Sequence, residues 1–287
     1  MQEEIVAGEG WAEGNTDLTK VRQACGRVAS AAVSLTVTVL GSGTAVPDFE
    51  RFPAGYLVQG GGETLLVDCG PGVLRRLAQV GIGLEKVTAV LLTHFHTDHC
   101  ADVAALLFAL RNPSYRGRPP LRLRAAQGLR AWLAHLTAAW PWLSPRGDDY
   151  ALDLEEWTPG THRLGGLEIG AFPVNHTAQS LAYRIAPSGG GPVATFSGDA
   201  DAGGELVAAA RAADLFVCDA AFPDSLYVPG HLTPGRAGAI AQEAGVKTLC
   251  LTHFYPECAG HDLRVQAAAT FAGEVVLAHD LQRFALE

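Results

Sequence analysis

The chain has 287 residues, 48% of them hydrophobic and 18% charged, with a formal net charge of -9. That balance argues against a disordered chain and against general nucleic-acid binding, which depends on neutralising phosphates. No apolar run reaches the ~18 residues of a membrane helix, and six cysteines without paired spacing do not form a disulfide framework.

The N-terminus, MQEEIVAGEG, is acidic and lacks the basic and apolar regions of a secretory signal. With unpaired cysteines, this places the chain in the cytoplasm. Residues 1–32 are Gly/Glu/Ala-rich and weakly patterned, and read as a flexible N-terminal extension. Residues 33–287 carry alternating strand and helix patterns with no linker, and read as one α/β domain.

A strictly alternating strand is expected over 34–40, followed by the flexible turn 41–47. A hairpin-like pair over 55–59 and 64–68 leads to a helix near 73–79, with Pro71 placed for a helix start. A strand over 89–92 and a helix over 101–110 come next, then a Pro/Arg/Gly loop, a strand over 121–125 and a helix over 128–139. Four of the five tryptophans lie between 132 and 157 and are expected in the core or in a pocket wall. Strands at 166–173, 180–186 and 193–196, a helix at 202–212 and a strand at 215–218 follow. Helix 234–244, strand 247–251, helix 262–271 and strand 274–278 finish the chain.

One stretch organises the rest: Thr93-His94-Phe95-His96-Thr97-Asp98-His99. Histidine and aspartate suit a borderline divalent cation such as zinc. In an extended segment His94 and His96 project to one side, because side chains there repeat every two residues. Asp98 and His99 stand where the chain turns into a helix. Three later residues also follow strand ends: His176, Asp199 in Ser197-Gly198-Asp199, and His253. An α/β fold places its functional loops there. Together the seven side chains suffice for two metal ions sharing one carboxylate.

The ordered H-x-H-x-D-H signature with the later His, Asp and His resembles the metallo-β-lactamase superfamily over residues 35–284. The resemblance implies a four-layer αββα sandwich with the metals at one edge. It implies that His94, His96 and His176 hold one metal, that Asp98, His99 and His253 hold the other, and that Asp199 bridges them. Leu40-Gly41-Ser42-Gly43-Thr44-Ala45-Val46-Pro47, Asp68-Cys69-Gly70-Pro71-Gly72, and Ser180 with Tyr183-Arg184 resemble the ribonuclease Z-like branch. That branch pairs an acidic residue with a histidine to handle protons. Asp219, where Glu is usual, and His231 match those positions. Its transfer-RNA-binding arm is replaced here by the short interval 186–192.

The expected activity is therefore that of a dinuclear metal-dependent hydrolase, foremost a phosphodiesterase using a metal-bridging hydroxide, with Asp98, His231 and Asp219 as catalytic residues. The alternatives are a ribonuclease Z-type 3′ transfer-RNA endoribonuclease, or an ester or aryl-sulfate hydrolase. Zinc is the expected metal, and manganese and iron also fit. A small anionic or phosphodiester substrate is favoured over nucleic acid. An RNA substrate would require the arm to come from the partner in a homodimer, and no membrane is involved. Asp68 reads equally as a hydrogen-bonding support for a ligand histidine or as a turn residue. Arg75 and Arg184 read as substrate contacts or as surface pairs. Between Val103 and Arg146 seven arginines occur and no acid, which reads as a solvated face of a helix-rich insert or as a lip attracting anions. Residues 103–146, with the loops at 45–54 and 222–231, are expected to decide what is hydrolysed.

Overall fold

The computed structural model describes residues 34–147 and 149–287. The expected extension over 1–32 lies outside the described residues. The first sheet contains β1 (Leu35–Gly41), β2 (Gly55–Gly60), β3 (Glu63–Val67), β4 (Ala89–Leu91), β5 (Leu121–Ala125) and β6 (Leu152–Glu156). The second contains β7 (Gly160–Leu164), β8 (Leu167–Pro173), β9 (Leu181–Pro187), β10 (Ala194–Phe196), β11 (Leu215–Asp219), β12 (Thr248–Thr252) and β13 (Glu274–Leu277). The last strand, β14 (Arg283–Leu286), returns to pair antiparallel with β1. The sheets run β14-β1-β2-β3-β4-β5-β6 and β13-β12-β11-β10-β9-β8-β7.

Each sheet is a meander joined to a parallel half. The strands from β3 to β6 pair parallel, as do those from β10 to β13. Parallel neighbours need crossovers. Helices α1 (Val73–Gln79), α2 (Thr97–Cys100), α3 (Asp102–Ala109) and α4 (Leu129–Ala139) belong to the first half of the chain. Helices α5 (Gly204–Ala210), α6 (Pro234–Ala244) and α7 (Leu263–Ala268) belong to the second.

The period-two alternation of the strands explains the layering. Leu65 and Val67 of β3 face a core between the sheets, where Ile169, Tyr183 and Val217 meet them. Leu66 faces the other way, onto Val73, Leu106 and Leu129 from the helices of the first half. In β11, Leu215 and Val217 enter the central core, whereas Phe216 and Cys218 pack against Leu206, Ala241 and Ala267 of the second half. Three apolar layers therefore separate four layers of structure, the expected αββα sandwich. Each large apolar side chain buried here stabilises by about 1.5–3 kcal/mol.

Most expected elements occur within a residue or two of their predicted bounds, and α6 carries clear start and stop signals. Thr233 and Pro234 open α6, and Gly245 ends it at φ 67. Pro71, by contrast, precedes the N-cap Gly72 and lies outside the helix. The helix expected over 101–110 is α3, and a short unexpected helix, α2, precedes it and carries Asp98 and His99. Strands β6, β7 and β14 were not expected from the sequence. The segment 103–146 is no insert, since β5 sits between β4 and β6 in the sheet.

Candidate metal centre

The fold collects the chemically active side chains at one edge. Asp68, His94, Asp199 and His253 directly or closely follow the C-terminal ends of β3, β4, β10 and β12, and Asp219 is the last residue of β11. Strand ends of a parallel sheet leave room for such loops. The turns are tight. Asp68 and His253 adopt φ 60 and 62, an uncommon region for residues with a Cβ. Gly198 at φ 59 also lets the chain pass Thr93, since a Cβ there would lie 2.7 Å from that side chain.

The structure brings all seven expected ligand residues together. Asp199 Oδ2 lies 3.7 Å from His94 Nε2 and 3.6 Å from His176 Nε2, and His176 Nε2 is 3.1 Å from His96 Nδ1. Its other oxygen, Oδ1, lies 3.1 Å from His99 Nε2 and 3.3 Å from His253 Nε2. Asp98 Oδ2 completes that second group, 3.4 Å from His253 Nε2 and 3.8 Å from His99 Nε2. One carboxylate thus faces two clusters, one with each oxygen. His94, His96, His176 and Asp199 could hold one metal ion, Asp98, His99 and His253 could hold another, and Asp199, Asp219, His231 and His253 form a third, overlapping group.

The donor atoms fit a cation better than they fit one another. His94 Nε2 and Asp199 Oδ1 are buried with no hydrogen-bond partner among the described residues, although imidazoles crowd both. Buried polar atoms left unpaired are costly. His99 Nε2 and His253 Nε2 lie only 3.3 Å apart. Burial and the neighbouring imidazoles push His94 down to about 2, so its imidazole stays neutral. Burial would lower His253, but Asp199, Asp219 and Asp98 outweigh it and raise it to about 10. His99 is likewise driven up, by Asp199 and Asp68 against its burial. Burial would raise Asp98, yet its hydrogen bond to His253 holds it at about 2. The acids therefore demand positive charge at this spot.

Two buried aspartates orient the imidazoles. Asp68 accepts hydrogen bonds from Thr93 N at 2.8 Å and Thr93 Oγ1 at 2.9 Å, and lies 2.8 Å from His99 Nδ1. Of its two readings, the support for a histidine is the one found. Asp219 Oδ2 lies 3.0 Å from His231 Nδ1, and Oδ1 is 3.6 Å from His253 Nδ1. The shorter Asp219 side chain therefore still reaches His231. Burial lowers His231, but the Asp219 hydrogen bond and charge prevail and raise it above its ordinary 6.5.

A further brace was not foreseen. Asp201 Oδ2 accepts from Tyr227 Oη at 2.6 Å and from Gly230 N at 3.3 Å, while Oδ1 pairs with Arg236 at 3.0 Å. Asp201 N donates to Asn175 O at 2.8 Å. Gly230 O in turn lies 2.9 Å from His176 Nδ1. Asp201 therefore ties the turn before His231 to the segment bearing His176. The Gly-Asp-Ala-Asp run was the only sequence signal for it.

The arginine run is largely committed elsewhere. Arg111 pairs with Asp149, Arg122 with Glu63, and Arg124 with Asp153 and Glu155. Arg118 and Arg130 donate to the carbonyls of Val87 and Leu154. Arg184 donates to the carbonyls of Ala209 and Arg211, so it braces structure and is no substrate contact. Of the tryptophans, Trp157 is core, while Trp140 and Trp142 are 45% and 50% exposed and line no core.

With this geometry in hand, comparison with known proteins is direct. Residues 63–254 match the model of the Beta-lactamase superfamily domain. A ribonuclease Z of Mycobacterium marinum is 32% identical over 277 residues, covering 87% of this chain and 98% of that protein. The crystal structure of the metallo-β-lactamase fold protein YhfI from Bacillus subtilis superposes with a TM-score of 0.77 at 27% identity, covering 88% of this chain and 99% of that one. The short form of human tRNase Z shares the fold, with a TM-score of 0.72 at 23% identity over 88% of this chain and 99% of that one. The chain belongs to the metallo-β-lactamase superfamily, in its ribonuclease Z-like branch.

Proposed function

We propose that the chain is a dinuclear metal-dependent phosphodiesterase. His94, His96 and His176 would hold one ion, Asp98, His99 and His253 the other, with Asp199 between them. Zinc suits this mixture of imidazole and carboxylate. Divalent ions held there supply Lewis acidity and a water acidified to near neutrality.

The chain's own groups account for the remaining chemistry. Asp98 accepts a hydrogen bond from the attacking water and orients it toward phosphorus. His231, with Nδ1 held by Asp219, presents Nε2 to the leaving oxygen and donates the proton that oxygen needs. The bond from phosphorus to the leaving oxygen breaks as the bond to the water oxygen forms. The observation that carries this reading is the 3.0 Å contact between Asp219 and His231 beside the seven-group cluster. A simple metal site has no need of that pair. The buried free thiols Cys69, Cys100, Cys218, Cys250 and Cys258 suit a reducing cytoplasm.

A second reading is supported by the name of the relatives, ribonuclease Z, namely cleavage of transfer RNA at its 3′ side. The link between β9 and β10 spans only residues 188–193, too short for a gripping arm, and the net charge of -9 does not attract RNA. We therefore favour a small phosphodiester. One assay separates the readings, in which the metal-loaded protein is offered a chromogenic phosphodiester, an aryl ester, an aryl sulfate and a precursor transfer RNA. Turnover of the phosphodiester is the expected result. Cleavage of the RNA at one defined 3′ position, with little diester turnover, selects the second reading.

A further inference from the structure

A cavity of about 380 Å³ opens beside Asp98, lined by Ala45, Pro47, Phe52, Pro53, Pro71 and Gly72 along with Thr44, Asp48, Arg51 and Thr97. That volume lies in the ~300–1,000 Å³ range of small-molecule sites. Its walls are mostly carbon, and most of its polar groups are already engaged. Asp48 Oδ1 accepts from Glu50 N and Arg51 N. Arg51 donates to Ser42 Oγ and Ala278 O, and its guanidinium lies over Phe254. Thr44 Oγ1 accepts from Val46 N, Phe52 N donates to Asp280, and Gly72 N donates to Asp102. The three prolines have no N–H to offer.

The Phe52 ring is fixed. Arg76 sits 4.4 Å from its centroid, and a Cβ at Gly72 would fall 2.0 Å from the ring, so only glycine leaves it room. Walls of carbon and largely engaged polar groups make this a good slot for a flat, uncharged group. Its place relative to His231 is also informative. Asp98 and Asp219 meet His253 at different ring nitrogens, Nε2 and Nδ1. The cavity therefore lies on the Asp98 side of His253, and His231 on the Asp219 side.

We propose that this cavity is the subsite for a planar ring carried by the substituent that stays on phosphorus, so that the substrates are phosphodiesters with an aryl or nucleobase ring on the retained side. The inference rests on the phosphodiesterase reading above, in which His231 serves the leaving oxygen. Recognition there is by shape and desolvation.

The test uses three diesters with one leaving group, p-nitrophenolate, and different retained groups: methyl, phenyl, and thymidine through its 5′ oxygen. The ring-bearing diesters should exceed the methyl diester in kcat/KM by roughly tenfold or more, the scale on which apolar rings leave water. The phenyl and thymidine arms tell an aryl from a nucleobase occupant. Ala45→Trp, which fills the slot from an exposed position, and Phe52→Leu, which removes its flat wall, should each bring the ratio toward one, with melting temperature reporting that they fold. Equal efficiency in the unmodified protein, or a preference that both variants keep, overturns the subsite. Titration with phenylphosphonate and methylphosphonate supplies a readout without turnover. Tighter phenylphosphonate binding that Ala45→Trp abolishes, with no diester hydrolysed, would sink the phosphodiesterase reading and leave the subsite standing. Indistinguishable binding of the two probes overturns the subsite whatever is hydrolysed.

Discussion

Asp219 is fully buried and its carboxylate lies 3.0 Å from His231 Nδ1. His231 is not one of the seven expected ligands, although it shares a further group with Asp199, Asp219 and His253, and its ring centroid is 4.9 Å from that of His176. His231→Ala should therefore keep the full metal content of the protein and lose phosphodiester turnover by roughly 10²–10⁴-fold, the range of general acid catalysis. Elemental analysis beside a chromogenic assay decides it. Loss of metal with the activity would make His231 a ligand instead.

The same pair sets a pH dependence. Asp219 raises His231 above its ordinary 6.5 despite burial. A raised value means the acid form persists to higher pH, so turnover should be sustained through 6.5 and decline only above it. Asp219→Asn removes the charge and leaves the burial, so the declining limb should move to lower pH. A pH profile of kcat that does not move in that variant contradicts His231 as the proton donor.

Asp68 binds no substrate, yet it fixes both Thr93 and His99. Such supports typically contribute 10–100-fold in metal affinity. Asp68→Ala should weaken metal binding by about that factor, measured by competition with a chromophoric chelator. Unchanged affinity would return Asp68 to the role of a turn residue.

Asp201 offers a test of positioning. Its bonds to Tyr227, Gly230 and Arg236 hold the turn before His231. Asp201→Ala should lower kcat about tenfold with metal content kept, because small displacements of a catalytic group are costly. Tyr227→Phe should act in the same direction with a smaller effect. An altered KM with unchanged kcat would place Asp201 in binding instead.

The reach of the sequence followed the physics of each signal. His94, His96, Asp98 and His99 are close in the chain, so their convergence was legible from spacing. His176, Asp199 and His253 were legible because apolar strands announce the ends where they stand. Asp219 and His231 could be paired only through the family resemblance. The Asp201 brace was illegible, since Tyr227 reaches it from a loop 26 residues away and Arg236 from the first turn of α6, 35 residues away. Strands β6 and β7 were missed because they are polar and partly exposed, and β14 because it is a short edge strand. The arginine run was visible as charge, but its acidic partners at 63, 149, 153 and 155 lie outside it.

We propose that Asp199 joins two cation sites, one on each oxygen. Metal stoichiometry of the purified protein and of His94→Ala, read by elemental analysis alongside diester hydrolysis, tests it most directly. Two equivalents of metal are expected in the unmodified protein, with both metal and turnover falling together in His94→Ala. A single equivalent in the unmodified protein, or unchanged hydrolysis in His94→Ala, would contradict it.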